Sequence, residues 1–521
     1  MRQLLSLRFL SPIQAAVVAW CAGAVNVFSF APFGYWVIQL VTLALLFHLV
    51  LHAPTIKRST VIGWAYGFGW LGSSIYWLYI SLHDYGGMPA AVAALAVMLL
   101  ALSLSILTAL VATITSWYRL SRNAPDWCAL LLVFPALWAL SEWVRGWIFT
   151  GFSWIVSGYA HIESPFAGFA PLIGVYGIGW LVAVSAGCLV LLTHSKTIAL
   201  RAGALLIGIL VLGSLLQTIH WTSPNGKVIS VRLLQGNVPQ EMKFDQERTA
   251  QTLTMYEDMI KEAPADLIAT PETALPLLAH QLPADYLPRL AEFATASNSN
   301  LIIGVPISDG PQQYTNSVIG LAPSTAANNA PHAYRYDKHH LVPFGEFIPS
   351  GFRWFVDMMH IPLGDFTRGA VIQAPFGVKD QWVMPNICYE DLFGEEIANQ
   401  LRAAYLADKP VASILLNVSN IAWFGDSIAL PQHLQISQMR TLETGRPMLR
   451  ATNTGATAVI NPGGKVGAQL LPFERAVLTD SVQGYRGLTP YILFGNLPII
   501  AFIFMALMIA WLRTRKKQLA S

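Results

Sequence analysis

The chain has 521 residues, of which 54% are hydrophobic and only 12% charged, with a formal net charge of +3. Soluble domains carry roughly 25% charged residues, so much of this chain is built for a membrane. The weak positive balance, with no basic patch interleaved with aromatics, argues against a nucleic-acid partner.

Long apolar runs come first. Residues 13–30, 35–53, 61–82, 90–117, 127–148, 166–193 and 202–219 each approach the roughly 20 residues that cross a bilayer, and an eighth run, 491–512, follows near the C-terminus. The first run is too soft, and too closely followed by the second, for a cleaved signal peptide. Arg2 and Arg8, Lys57 and Arg58, Arg119 and Arg122, Lys196 and Arg201, and Arg513 to Lys517 occupy every second connection, whereas 31–34, 83–89 and 149–165 contain no Lys or Arg. By the positive-inside rule both termini are expected in the cytoplasm, with residues 222–488 delivered to the opposite face. In a bacterium that face is the periplasmic side of the inner membrane. The expected division is a membrane domain over 1–221 with seven crossings, a periplasmic domain over 222–488, and a last helix with a basic cytoplasmic tail over 489–521.

The segment 222–488 has another texture. Short β-rich runs at 228–234, 267–269, 301–307, 317–321, 382–387, 413–418 and 456–460 alternate with helical patterns at 247–262, 287–297 and 433–446. That alternation predicts an α/β domain with its functional residues at strand ends.

Three polar positions follow apolar runs there: Glu272, Lys338 and Cys388. A thiol needs a base to become a nucleophile, and a carboxylate in an apolar cleft can serve. A cation beside it can hold the oxyanion of a tetrahedral intermediate. Each also has a plainer reading. Cys388 could be a small buried hydrophobe, Glu272 an acid at a helix start, and Lys338 a solvated charge. A pairing of Cys388 with His339 or His340 is disfavoured, since adjacent residues of an extended segment point to opposite sides. Cys21, Cys128 and Cys188 lie in apolar runs, so no metal site or disulfide framework with Cys388 is expected. No metal or other cofactor is expected.

The order Glu, Lys, Cys resembles the nitrilase superfamily. The stretches KHHLVPFGEFIP (338–349), NICYEDLFGE (386–395), SNIAWFG (419–425), RPMLRATNTGATAVINPGG (446–464) and GLTPY (487–491) resemble its membrane branch, the apolipoprotein N-acyltransferases. GGMP (86–89) and 136–154, with SEWVRGW and TGFSW, match in the membrane part. The resemblance implies a polytopic α-helical membrane domain of about eight helices with an α-β-β-α nitrilase-like sandwich. It implies Glu272 as general base, Lys338 as stabiliser of the tetrahedral intermediate and Cys388 as nucleophile, with Glu346, Tyr389 and Glu390 in support. It also implies two half-reactions: a phospholipid, expected to be phosphatidylethanolamine, acylates Cys388. The α-amine of a diacylated apolipoprotein then takes the acyl chain, in the last step of lipoprotein maturation. The enzyme is expected to act as a monomer.

The chain departs from the family pattern at three positions. Thr270 stands for a tryptophan before Pro-Glu, Ile421 for an aspartate in the Ser-Asn-Asp-Ala-Trp-Phe-Gly stretch, and Phe244 for a further tryptophan. Apolar clusters at 352–361, with Trp354 and Phe355, and at Trp423 and Phe424 are expected to face lipid; ordinary core packing is the plainer reading. Glu142 and Arg145, spaced i and i+3 in the fifth run, form either a structural ion pair or a headgroup contact. The competing functions are a membrane-anchored amidase with water as acceptor, and a transporter or sensor with no covalent intermediate.

Overall fold

The computed structural model describes residues 10–240, 246–311, 313–323, 334–348 and 366–518. Phe244, Trp354, Phe355 and the 352–361 cluster lie outside these residues. The chain forms two compact units, one of residues 1–79, 89–219 and 494–521, the other of residues 80–88 and 220–493.

The first unit is helical. Its elements are α1 (Pro12–Val25), α2 (Trp36–Leu51), α3 (Ile56–Ser74), α4 (Ala90–Ser121), α5 (Asp126–Arg145), α6 (Pro165–Leu191) and α7 (Lys196–Leu216), with a C-terminal helix Leu497–Gln518. Six helical spans of the described residues are long and apolar enough to cross a membrane. Shorter α2 and Gly/Ser-rich α3 complete a set of eight, as expected of a multi-pass membrane protein. The apolar run at 61–82 does not stay helical throughout. α3 stops at Ser74, and the segment Ile80–Met88 belongs to the other unit, where Ser81 Oγ donates to the Trp423 carbonyl at 2.7 Å. Composition continues apolar through Tyr76 and Trp77 while the backbone turns. The start of α1 is fixed by a capping box between Ser11 and Gln14, with Pro12 at the first helical position. α1 and α3 approach so closely that a Cβ on Gly23 would lie 2.0 Å from the Tyr66 carbonyl oxygen. Small residues permit such contacts in lipid, where no hydrophobic drive brings helices together.

The second unit contains two six-stranded sheets. Strands β1 (Ser223–Gln235), β2 (Leu267–Ala269), β3 (Asn300–Gly310), β4 (Gln313–Leu321) and β5 (Tyr334–Asp337) belong to the first sheet. Strands β6 (Phe376–Val378), β7 (Gln381–Ile387), β8 (Ile414–Ser419), β9 (Met448–Thr452), β10 (Ala458–Ile460) and β11 (Val466–Gln469) make the second, and β12 (Ala476–Arg486) returns to the edge of the first. The strand orders are β12-β1-β2-β3-β4-β5 and β11-β10-β9-β8-β7-β6. The central strands β1, β2 and β3 run parallel, as do β7, β8 and β9.

These central strands are apolar on both faces, as sheets covered on both sides require. One core joins Val231, Leu233 and Ile302 of the first sheet to Val383, Leu416 and Leu449 of the second. Helices α8 (Gln246–Lys261) and α9 (Tyr286–Ser297) cover the other face of the first sheet through Leu253, Tyr256, Tyr286 and Leu290. Helices α10 (Gly394–Leu406) and α11 (Ala429–Thr444) pack on the second through Ile397, Leu401 and Leu434. The result is an α-β-β-α sandwich. The reading from sequence missed β5, β6, β9, β11 and β12; the helical pattern at 433–446 begins earlier, at Ala429, and stops at Gly445, where φ is +63°.

Candidate active site

Glu272 sits on the tight turn that leaves β2. Thr273 takes a φ of +49°, and Gly304 on β3 lies against the turn: a Cβ there would stand 2.1 Å from the Pro271 carbonyl oxygen. Thr270 fastens the same turn. Its amide donates to the Ile302 carbonyl at 2.9 Å, and its hydroxyl accepts from the Gly304 amide at 3.0 Å. This hydroxyl gives Thr270 a role where the family pattern has tryptophan. Both carboxylate oxygens of Glu272 are engaged. Oε1 accepts from Asn316 Nδ2 at 2.7 Å and from Lys338 Nζ at 3.2 Å, and Oε2 accepts from the Asn420 amide at 2.8 Å.

Lys338 follows β5 and is 1% exposed. Its backbone amide donates to the Asn316 carbonyl at 2.8 Å. Its ammonium donates to Glu346 Oε1 at 2.8 Å as well as to Glu272. Glu346 in turn accepts from Asn316 Nδ2 at 2.7 Å and, through Oε2, from the Val342 amide at 2.8 Å. Burial opposes the charge on Lys338, but Glu272 and Glu346 outweigh it and hold the ammonium above its ordinary pKa. The site thus carries two carboxylates for one cation.

Cys388 is partly exposed and directly follows β7, with a φ of +52°. A left-handed conformation costs a non-glycine residue roughly 1–2 kcal/mol, so surrounding bonds must hold it. Asn417 Nδ2 and His433 Nε2 each reach the Cys388 carbonyl at 3.2 Å. Asn417 also donates to Asn386 Oδ1 at 2.6 Å, from the paired position on β8. Arg450 Nη2 lies 2.9 Å from His433 Nδ1. A guanidinium only donates, so Nδ1 accepts, Nε2 carries the proton, and His433 is a neutral donor to the Cys388 carbonyl. Burial and Arg450 both hold its pKa well below the ordinary histidine value. Arg450 is itself paired with Asp391 at 3.1 Å.

The thiol is pushed up to about 12, first by burial and then by the charge of Glu272; Lys338 and Ser419 oppose the rise. At rest Cys388 is therefore a thiol, and removing its proton is part of any chemistry it does.

Glu390 ties the lysine and cysteine segments together. Oε2 accepts from the Ile387 amide at 2.7 Å and the Tyr336 hydroxyl at 3.0 Å; Oε1 accepts from the amides of His339 at 2.7 Å and His340 at 3.2 Å. Tyr389 is buried beside Phe393 and His340, with ring centroids 5.4 and 5.8 Å away. His340 stacks on Phe393 and bonds Glu396 at 2.8 Å, and His339 Nδ1 bonds the Gly369 carbonyl at 2.8 Å. Neither ring is a partner for the thiol in these contacts.

Trp423 and Phe424 are partly exposed on the turn after β8, with Trp423 edge-on to Tyr85 at 6.0 Å. Ile421, at the foot of that turn, is buried and apolar, and its carbonyl accepts from the Phe424 amide at 3.1 Å. Glu142 and Arg145 belong to the membrane unit and are both buried. Glu142 Oε1 accepts from the amide and hydroxyl of Ser157, both at 2.7 Å. Arg145 donates to the Trp154 carbonyl at 2.9 Å and lies 5.6 Å from the Trp70 ring centroid. These bonds fasten the loop after their own helix.

Asn316, Asn420, Asn417, His433 and Arg450 were not anticipated from the sequence. The one available signal was asparagine inside apolar strands, where it is normally depleted.

Residues 22–188 match the family described as "Apolipoprotein N-acyltransferase N-terminal domain", and residues 230–491 match "Carbon-nitrogen hydrolase". The chain is 48% identical over 511 residues to the apolipoprotein N-acyltransferase of Ralstonia nicotianae, covering 98% of this chain and 94% of that one. It is 45% identical to the namesake from Nitrosomonas europaea, covering 94% and 96% of the two chains. With the Chromobacterium violaceum protein the identity is 42%, covering 96% of each. A nitrilase-like sandwich joined to a multi-pass helical unit, with relatives this similar along nearly the whole length, places the chain in the apolipoprotein N-acyltransferase family of acyltransferases.

Proposed function

We propose that the protein N-acylates the N-terminal S-diacylglyceryl-cysteine of lipoproteins, with a phospholipid as acyl donor. The observation that carries this reading is the convergence of Glu272 and Glu346 on the Lys338 ammonium, beside a thiol whose raised pKa demands a base. In the first half-reaction Glu272 takes the Cys388 proton as sulfur attacks the donor's sn-1 ester carbon. Lys338, kept charged by two carboxylates, supports the oxyanion. The C–O bond breaks, Glu272 returns the proton to the leaving oxygen, and a lysophospholipid departs from a thioester. In the second half-reaction the lipoprotein α-amine attacks that thioester. The C–S bond breaks, the amine's proton passes to Glu272 and on to the sulfur, and an amide leaves. Two easier steps replace one difficult step. Glu346 holds Lys338, and Glu390 and Tyr389 hold the loops on either side of the thiol.

The charge alternation between apolar runs supports seven crossings before the catalytic unit and one after it, both termini in the cytoplasm and the catalytic unit in the bacterial periplasm. Phosphatidylethanolamine is the expected donor and a monomer the expected working form. Trp423 and Phe424, partly exposed beside Asn420, are suited to contact acyl chains.

The test is intact-mass analysis of purified protein with phospholipid, then with a diacylated lipopeptide. An acyl adduct that is absent in Cys388→Ala and moves to the lipopeptide amine is expected. An adduct that decays only to free fatty acid with lipopeptide present would make the protein a hydrolase, and no adduct at all would remove the thioester.

A further inference from the structure

A cavity of about 400 Å³ opens at one end of the membrane unit, among the last turns of α2 and α4 and the first turn of α3. Its polar lining is two arginines, Arg58 and Arg119, and two histidines, His48 and His52, with no acid among the described residues that line it. The remainder is mostly aliphatic, including Leu49 and Ile62. Arg58 has no carboxylate partner among the described residues. Its Nη2 donates to the carbonyls of Leu10 and Ser11, which satisfy hydrogens without neutralising charge, and its Nε is buried with no acceptor. A partly buried cation without a counter-charge is costly. It also sits in the first turn of α3, where the helix dipole disfavours a cation and attracts an anion. Arg119 is partly neutralised by Asp126 at 3.1 Å, so the uncompensated charge is centred on Arg58. His52 Nδ1 donates to the His48 carbonyl at 2.9 Å, and the two rings lie tilted against each other with centroids 4.2 Å apart.

We propose that this cavity binds the phosphate headgroup of an anionic phospholipid, with the glycerol and upper acyl chain against its aliphatic wall. A lipid fits better than a free phosphate because cationic and aliphatic surfaces share one cavity within a membrane unit. Basic pockets between membrane helices select such headgroups. The inference rests on the membrane character of the unit and is independent of the acyl-transfer chemistry.

The test uses the full-length Cys388→Ala protein in detergent, so that turnover does not consume the lipid, with retained lipid counted by native mass spectrometry. Phosphatidylglycerol is expected to be retained about five- to tenfold over phosphatidylethanolamine. Arg58→Gln is expected to erase about fivefold of that preference, and His52→Glu, which places an acid in the cavity, to erase it too should Arg58→Gln fold poorly. Millimolar inorganic phosphate is expected to leave lipid retention unchanged. An unaltered preference in the folded variants overturns the site, and displacement of the lipid by phosphate overturns the lipid assignment. Arg58→Gln with Cys388 restored is expected to keep wild-type acylation from a zwitterionic donor, separating failure here from failure of the catalytic reading.

Discussion

His433 Nε2 stands 3.2 Å from the carbonyl oxygen of Cys388, and Arg450 dictates that this nitrogen carries the proton. His433→Leu removes the donor and leaves Arg450 short of an acceptor, a loss of about 1–3 kcal/mol. Thermal melts should show that loss, and the rate of thioester formation should fall roughly tenfold. His433→Gln can accept from Arg450 and still donate, and should recover most of the rate. A histidine that only fills space would let Leu do as well as Gln.

Asn316 offers a single Nδ2 to Glu272 and Glu346, at 2.7 Å each. Asn316→Asp would place three carboxylates around one ammonium. Like charges this close do not all ionise, so one retains its proton at neutral pH. The acylation rate should drop about 10²-fold at pH 7 and recover in part as pH rises, whereas Asn316→Ala should be slow without that recovery. Parallel pH profiles for the two variants would remove the shared amide from the mechanism.

The Cys388 thiol, raised to about 12, should resist alkylation. At pH 8 a free cysteine is about one-quarter thiolate; Cys388 should be lower by orders of magnitude, and its alkylation rate should climb well past pH 9. A group whose folded pKa is raised contributes stability below its unfolded pKa and loses it as pH rises, here from about 8.5 upward. Glu272→Gln should leave the thiol easier to ionise, since the nearby negative charge is gone, and yet slow thioester formation about 10²–10⁴-fold. Faster alkylation with slower acylation is the paired outcome to look for.

Thr270→Val keeps the shape and removes the hydroxyl that accepts from the Gly304 amide. A buried amide left without an acceptor costs about 1–3 kcal/mol. Denaturant melts of the full chain should register it, with a smaller fall in acylation as the Glu272 turn loosens. An unchanged midpoint would mean that Pro271 and Gly304 fix the turn alone.

Glu272 and Cys388 were legible in the sequence because each follows an apolar run, which is how strand ends look in one dimension; Lys338 follows the mixed Tyr-Arg-Tyr-Asp of β5 and was marked by the family motif that begins there. The central strands apart from β9, which is interrupted by the buried Arg450, were legible by their apolar runs, because they are buried on both faces. Edge strand β12 was not, because its polar and apolar residues mix where one side meets water. Asn316, Asn420 and His433 were only weakly marked, for another reason. A polar residue inside a strand or helix has no periodicity of its own, and its partner lies tens to hundreds of residues away. Thr270 and Ile421 looked like blemishes against the family pattern. In the fold one anchors the base turn through a hydroxyl, and the other is a buried apolar residue at the foot of the Trp423 turn.

The Glu272 carboxylate, carried by the first sheet, is held by the Asn420 amide at the end of a strand of the second. Ribosomes deliver the first sheet's base and lysine well before the second sheet's thiol and that amide. A half-made chain therefore holds an acid and a cation with nothing to activate, and the thiol is the last of the three to arrive. Under the proposed reaction, a chain cut short before Cys388 has no nucleophile to turn on phospholipid.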